Sequence, residues 1–190
     1  MKSIISISGT AGSGKSTIAK IIAEKLKAER IYVGGLRRQL ALDKGMSLAQ
    51  LNEYAADHPE TDIDVDKAAA KQARQMAQKN IVVIEGRTQF HFLPESIKLY
   101  IKVEPKEGAK RIWQDLQKDN ERNEGQFKSL AELETYQQTR QASDVARYKK
   151  YYNLDHTDEK QYDFILDTTN ISAQTATEKV LDFIQKTLNK

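Results

Sequence analysis

The sequence predicts an α/β fold in three layers, a five-stranded parallel sheet with helices on both faces, and three observations carry that prediction. Short apolar runs alternate with amphipathic stretches along the chain, which implies crossover connections and hence parallel strands. The run Ile81-Val82-Val83-Ile84 has no polar interruption, the mark of a strand buried on both faces. A glycine-rich turn, Gly9-Thr10-Ala11-Gly12-Ser13-Gly14-Lys15-Ser16-Thr17, stands between an apolar run and an amphipathic helix pattern.

Taken in order, Met1 to Ser8 is the first strand, with Ile4, Ile5 and Ile7 as its apolar residues. Lys15 to Leu26 follows as a helix, because Ile18, Ile21, Ile22 and Leu26 fall on one face. Ile31 to Val33 is a short second strand, after which Gly34-Gly35 opens a helix that turns Leu36 and Leu40 inward and ends at Gly45. Ser47 and Gln50 have the spacing of a capping box for a helix through Tyr54, and His58-Pro59 breaks it. Thr61 to about Gln78 reads as a helix with a thin apolar face of Ile63, Ala70, Ala73 and Ala77, suited to a mobile flap. The aspartates at its start, Asp57, Asp62, Asp64 and Asp66, read as complements to the helix dipole on a solvated surface.

Two strands come next, Ile81 to Ile84 and Ile97 to Val103, and Pro105 suits the first position of the helix that Ile112, Trp113 and Leu116 pack. The polar stretch Asp119 to Gln126 fits a lid that closes to exclude water, or a plain loop. Ser129 with Glu132 caps a helix to about Tyr152, Tyr162 to Leu166 is the last strand, and Ser172 opens a helix packed by Val180, Leu181, Ile184 and Leu188. His58, His91 and His156 have no partner pattern and are expected on the surface or in loops. The organisation expected is a single domain: a core of 1–33, 79–118 and 129–190, a helical insertion at 34–78 and a lid at 119–128.

A chain of 190 residues suits one domain. With no cysteine it has no disulfide, no zinc–thiolate site and no cysteine nucleophile, and the cytoplasm is the expected compartment. No apolar run has the length of a membrane span and none reads as a signal peptide. Charged residues make up 30% of the chain yet balance to +3, too little to provide a field for nucleic acid. Neither membrane nor nucleic acid is an expected partner, and the chain is expected to be a monomer.

The turn from Gly9 fits the spacing G-x-x-x-x-G-K-[ST] of a phosphate-binding P-loop, with both its required neighbours present. The backbone N–H groups of Gly9 to Thr17 would wrap ATP phosphates at the positive end of a helix. Lys15 would reach the β and γ oxygens, and Ser16 would offer its hydroxyl to Mg²⁺. Glu85 falls at the carboxyl end of a strand and so shares a rim with the P-loop, where ligands bind in open α/β sheets. There it would hold Mg²⁺ or its waters, or else pair with Arg87, itself a candidate phosphate ligand. Arg37 and Arg38 are placed in a first helical turn, where cations are unfavourable without an anion nearby, so they bind phosphate or stand solvated. Arg140, Asp144 and Arg147 lie at offsets of four and three and share a helical face.

This ordered set resembles the nucleoside monophosphate kinases of the P-loop class, and among them the short archaeal-type cytidylate kinases. The likeness covers essentially the whole chain. It rests on the P-loop with Thr17, on Gly34 and Arg38 with Gly45-Met46-Ser47-Leu48, on Glu85-Gly86-Arg87, on Arg140 with Asp144 and Arg147, and on Tyr162-Asp163 before Thr168-Thr169. The resemblance implies transfer of the γ-phosphoryl group of ATP to CMP or dCMP with Mg²⁺. It further implies that Gly34, Arg38, Arg87, Arg140, Asp144 and Arg147 bind the acceptor. Arg38, Arg87 and Arg147 would take its phosphate, Arg140 and Asp144 its ribose hydroxyls. Arg111 would contact ATP, and Lys15, Arg87 and Arg147 would be catalytic. The chain departs from its relatives at Val33, where a small hydroxyl residue is common, at Arg37, which replaces an aromatic, at Thr88, where some place an aspartate that touches cytosine, and at Asp115, where a second arginine is usual.

Other P-loop kinases, acting on AMP, UMP, shikimate or gluconate, are the first alternative. Shikimate-type kinases carry Asp-x-Asp after the second strand, and this chain has Tyr32-Val33-Gly34. A nucleotide-binding module without catalysis is the second, opposed by the intact set Lys15, Ser16, Glu85 and Arg87. A nucleic-acid end kinase is the third, opposed by the modest charge.

Overall fold

Alternating side chains sort the sheet into two apolar faces. Ile5, Ile7 and Val83 join Ile18, Ile22, Val180 and Ile184 in one core, whereas Ile4, Val82 and Ile84 join Ala69, Ala70 and Ala73 in another. The computed structural model describes residues 3–118 and 127–188. Its five strands, β1 (Ile4–Gly9), β2 (Glu29–Tyr32), β3 (Val82–Glu85), β4 (Ile97–Lys102) and β5 (Phe164–Asp167), are all parallel and run β2-β3-β1-β4-β5 across the sheet. The predicted three-layer α/β/α fold is therefore the observed one. The helix α1 (Lys15–Leu26) and the last helix, α8 (Ala173–Leu188), cover the first face.

Between β2 and β3 the chain makes α2 (Val33–Asp43), α3 (Leu48–Tyr54) and α4 (Glu60–Met76). The capping box of α3 is present as expected, with Ser47 Oγ accepting from Gln50 N and Gln50 Oε1 from Ser47 N. The alanines of α4 lie against β2 and β3, seating that helix on the sheet. A four-residue helix, α5 (Gln89–Phe92), follows β3 and was not expected from the sequence, since four residues are too few to show a helical period. The two long helices α6 (Pro105–Lys118) and α7 (Leu130–Tyr152) begin and end close to the predicted positions. The expected lid at 119–128 lies outside the described residues, apart from Phe127 and Lys128. Among the described residues no helix is long and apolar enough to cross a membrane.

Strand register fixes what stands on the carboxyl rim. Glu85 pairs with Ile7 on one side and Tyr32 on the other, and Gly9 pairs with Ile101. The P-loop, Glu85 and the start of α2 thus leave the sheet at one edge, as the topology of an open α/β sheet requires of a ligand site.

Candidate active site

The P-loop owes its path to backbone that only glycine accepts. Gly12 and Gly14 have φ of 73° and 77°, and a Cβ on Gly12 would lie 2.2 Å from the Gly108 carbonyl oxygen. Short-range and sheet bonds hold the rest: Ser13 Oγ donates to Thr10 O at 2.9 Å, Thr10 N to Ile101 O at 3.1 Å, and Thr168 Oγ1 to Ser13 O at 3.0 Å. Gly14 caps α1 with no side-chain hydrogen bond, so the first N–H groups of this helix are left for an anion. Arg111 sits beside them: its Nη2 donates to Thr168 O at 2.9 Å and Thr169 O at 3.1 Å, and its Nε to Glu107. Residues 12 to 18 and Arg111 line one cleft, which brings Gly12 to Thr17 and Arg111 of the expected ATP set together, whereas Gly9, Thr10 and Ala11 line a neighbouring cleft with Arg87 and Tyr100.

A second cleft opens on the other side of Lys15 and Ser16, and it gathers Gly34, Arg38, Glu85, Arg87 and Arg140 as the sequence reading expected. Arg37 lines it too. Both guanidiniums from α2 belong to its second turn, because the helix starts at Val33 and not at Gly34. Arg37 is engaged by protein, bonding Asp62 and donating to Asn52 Oδ1 at 3.1 Å, while Arg38 donates to Gly34 O at 3.1 Å. Glu85 is buried, and its Oε1 accepts from Arg30 Nε at 2.8 Å; its partner is therefore Arg30, a residue the sequence reading passed over. The other oxygen, Oε2, is buried and makes no hydrogen bond among the described residues.

Asp144 and Arg147 stand behind this cleft and do not line it. Asp144 bonds Arg87 on one oxygen and accepts from Arg147 Nη2 at 2.6 Å on the other. Arg147 reaches further, to Asp62 Oδ2 at 3.1 Å and Asn52 O at 3.0 Å, so it ties α7 to α3 and α4. Burial alone would raise the Asp144 carboxyl, yet the guanidiniums of Arg87, Arg140 and Arg147 outweigh it and hold the group below its ordinary value. Burial likewise opposes the charge of Arg147, and Asp144 and Asp62 more than restore it.

One expectation is corrected here. Of the four aspartates at the start of α4, Asp57 and Asp64 are exposed as a solvated surface requires, but Asp62 and Asp66 are 2% and 5% exposed. Asp62 takes Arg37 and Arg147, whereas Asp66 accepts from Thr88 Oγ1 at 2.8 Å, Gln89 Nε2 at 3.0 Å and Tyr152 OH at 3.0 Å. The spacing held the signal: Asp62, Asp66, Ala69, Ala70 and Ala73 fall on one helical face, the one that α4 buries. His156 stands in a loop, as expected, in the turn that follows α7, but there it is buried against the edge of Tyr148. Burial, with Arg87 adding to it, pushes its imidazole down to about 4, so it is neutral at neutral pH.

Comparison with known proteins places these features. A family model described as an AAA domain, AAA_18, matches residues 5–132. The chain is 33% identical to the cytidylate kinase of Archaeoglobus fulgidus over 95% of its own length and 94% of that protein. It is 30% identical to the S-adenosylmethionine-dependent nucleotide dehydratase of Lacinutrix mariniflava over 98% of this chain, and spans 37% of that protein's length. Among solved structures, shikimate kinase from Acinetobacter baumannii in complex with shikimate superposes over 100% of this chain and 97% of that one, with a TM-score of 0.64 at 14% identity, a likeness of fold alone.

Proposed function

We propose, on the premise that this chain belongs to the cytidylate kinase family of P-loop phosphotransferases, that it transfers the γ-phosphoryl group of ATP to a nucleoside monophosphate, CMP or dCMP, to give the diphosphate. The observation that carries this reading is the cleft beside Lys15, where Arg37, Arg38, Arg87 and Arg140 bring four guanidiniums to the edge of a phosphate-binding loop. Phosphoryl transfer asks a protein for positioning and charge stabilisation rather than a covalent intermediate, and such a cleft supplies both.

In this reading the loop amides and the start of α1 bind the ATP phosphates, with Arg111 beside them, and Lys15 neutralises the charge that develops as the γ-phosphoryl group leaves. Arg38 and Arg87 hold the acceptor phosphate in line, and Arg140 borders the same space. Asp144 and Arg147 act as positioning residues, since the first orients Arg87 and the second anchors α7 to the helices that carry Asn52 and Asp62. Ser16 and Glu85 are the residues that would hold Mg²⁺. A buried carboxylate oxygen with no hydrogen bond among the described residues is a fitting ligand, and a site with few protein ligands suits an ion that keeps waters and substrate oxygens. The ion would neutralise phosphate charge.

A coupled assay of ADP release with ATP, Mg²⁺ and a panel of nucleoside monophosphates tests the proposal. Turnover is expected with CMP and dCMP. ADP release with none of the panel would leave a different acceptor or a non-catalytic module as the reading.

A further inference from the structure

We infer that Asp66 reads the base of the acceptor, selecting a nucleobase that presents an exocyclic amino group to its carboxylate, as cytosine does, over one that presents a carbonyl oxygen, as uracil does. The inference rests on the acceptor-cleft reading above and adds to it the group that chooses the base.

Three features of Asp66 lead there. It lines the cleft together with Thr88, Leu48 and Tyr148 although it is 5% exposed, so it is a built-in wall and not a surface charge. Among the described residues its hydrogen bonds come from uncharged donors: Thr88 Oγ1 and Tyr152 OH on Oδ2, Gln89 Nε2 on Oδ1. A carboxylate has about four acceptor positions, so Oδ1 is able to accept one more N–H. Asp62, one turn earlier on the same helix, is by contrast bonded to two guanidiniums. Burying a carboxylate without an ion pair is costly, and a donor from the cleft is what lowers that cost.

The neighbouring chemistry points the same way. Gln89 lies behind the cleft wall and spends its amide N–H on Asp66, so the group that faces the cleft from this wall is the Asp66 carboxylate, an acceptor. An amino group brings it a donor. A carbonyl oxygen would set a second acceptor against it.

The group also titrates in a usable range. Burial raises the Asp66 carboxyl to about 6, with the bonds from Thr88 and Tyr152 pulling it partly back. Arg37 of α2 favours the charged form, and Asp62 on its own helix opposes it. Above that value Asp66 accepts an N–H; below it the protonated acid donates, and the preference for an amino group fades.

The test compares kcat/KM for CMP and UMP with ATP and Mg²⁺. In Asp66→Asn the CMP to UMP ratio should fall about tenfold or more, because an amide N–H takes the place of an acceptor. In the wild-type protein the same ratio should fall as the pH is lowered from about 8 to about 5.5, and the titration of the substrate phosphate, shared by both acceptors, cancels in it. A wild-type protein that prefers UMP overturns the inference, as does a folded Asp66→Asn with an unchanged ratio; in both cases the acceptor cleft itself stands. If Asp66→Asn does not fold, the wild-type pH series decides, and a flat ratio overturns the inference. If the wild-type protein phosphorylates no nucleoside monophosphate, the acceptor reading fails and this inference with it.

Discussion

In the cleft proposed for the donor the residues beside Lys15 are held largely by backbone, and in the cleft proposed for the acceptor largely by one another. The P-loop keeps its shape through glycine conformations and short bonds such as Ser13 to Thr10, and Arg111 is set by the carbonyls of Thr168 and Thr169. Across the cleft, Arg87 leans on Asp144, Asp144 on Arg147, Arg147 on Asp62, and Asp62 on Arg37. The difference teaches that a side chain deleted on the donor side takes chemistry away and leaves the scaffold. On the acceptor side the same deletion leaves a buried charge without its partner, and chemistry and stability fall together.

The sharpest way to break this comparison is Lys15→Ala. In the proposed reading its ammonium stabilises charge that develops in transfer, so kcat should fall by about 10²–10³ while circular dichroism reports an unchanged fold. A folded variant with near-normal turnover would refute the assignment of the donor side. Asp144→Ala comes next. Removing a fully buried carboxylate from between two arginines should cost about 3 kcal/mol, and so lower the melting temperature by roughly 6–12 °C in a chain of this size. A raised KM for the monophosphate with no change in melting temperature would place Asp144 with Lys15, as a group that serves chemistry alone.

The pH dependence of stability sharpens the same point, because two buried carboxylates act with opposite sign. Asp144 is depressed in the folded chain, so the stability it supplies is present above its unfolded pKa and is lost as the pH falls through the folded value. Asp66 is raised from 3.8 to about 6, so the folded chain binds a proton in that window that the unfolded chain does not, and it gains stability as the pH falls through it. Asp144→Ala should therefore flatten the acid limb of the wild-type profile. The smallest effect belongs to a local device on the acceptor side, the cap of α3. Ser47→Ala removes one acceptor for Gln50 N and should cost about 1 kcal/mol, a shift of roughly 2–4 °C with turnover kept. A loss as large as that of Asp144→Ala would mean that α3 is braced by its cap rather than by Arg147.

How much of this was legible in the chain varies with distance along it. The P-loop, the cap of α3 and the cap of α7 were readable because each is a pattern within four to nine residues whose partners are neighbours in sequence. The row Arg140, Asp144 and Arg147 was readable as a row, since helical spacing alone aligns it. What it faces was not. The burial of Asp62 and Asp66 is hidden in the sequence because aspartates at a helix start fit the dipole equally well when solvated, and only packing on the sheet shows that the face they share with Ala69 and Ala73 is the one covered. The loop position of His156 was legible, but its burial was not, because nothing in its neighbours along the chain speaks of Tyr148.

The sequence by itself determined the layers, the order of strands and helices, and the loop that binds phosphate, because these follow from side-chain period and from glycine at fixed offsets. Only the tertiary structure decided the partners of the buried charges. Arg30 and Glu85 are 55 residues apart, Arg87 and Asp144 are 57, and Asp62 and Arg147 are 85. Any carboxylate can pair with any arginine, so local pattern carries no information about which one it meets. The choice is made when β3 is laid beside β2, and α7 against α3 and α4. Asp62 then comes within reach of two guanidiniums, and Asp66, one turn away on the same helix, within reach of none that it bonds.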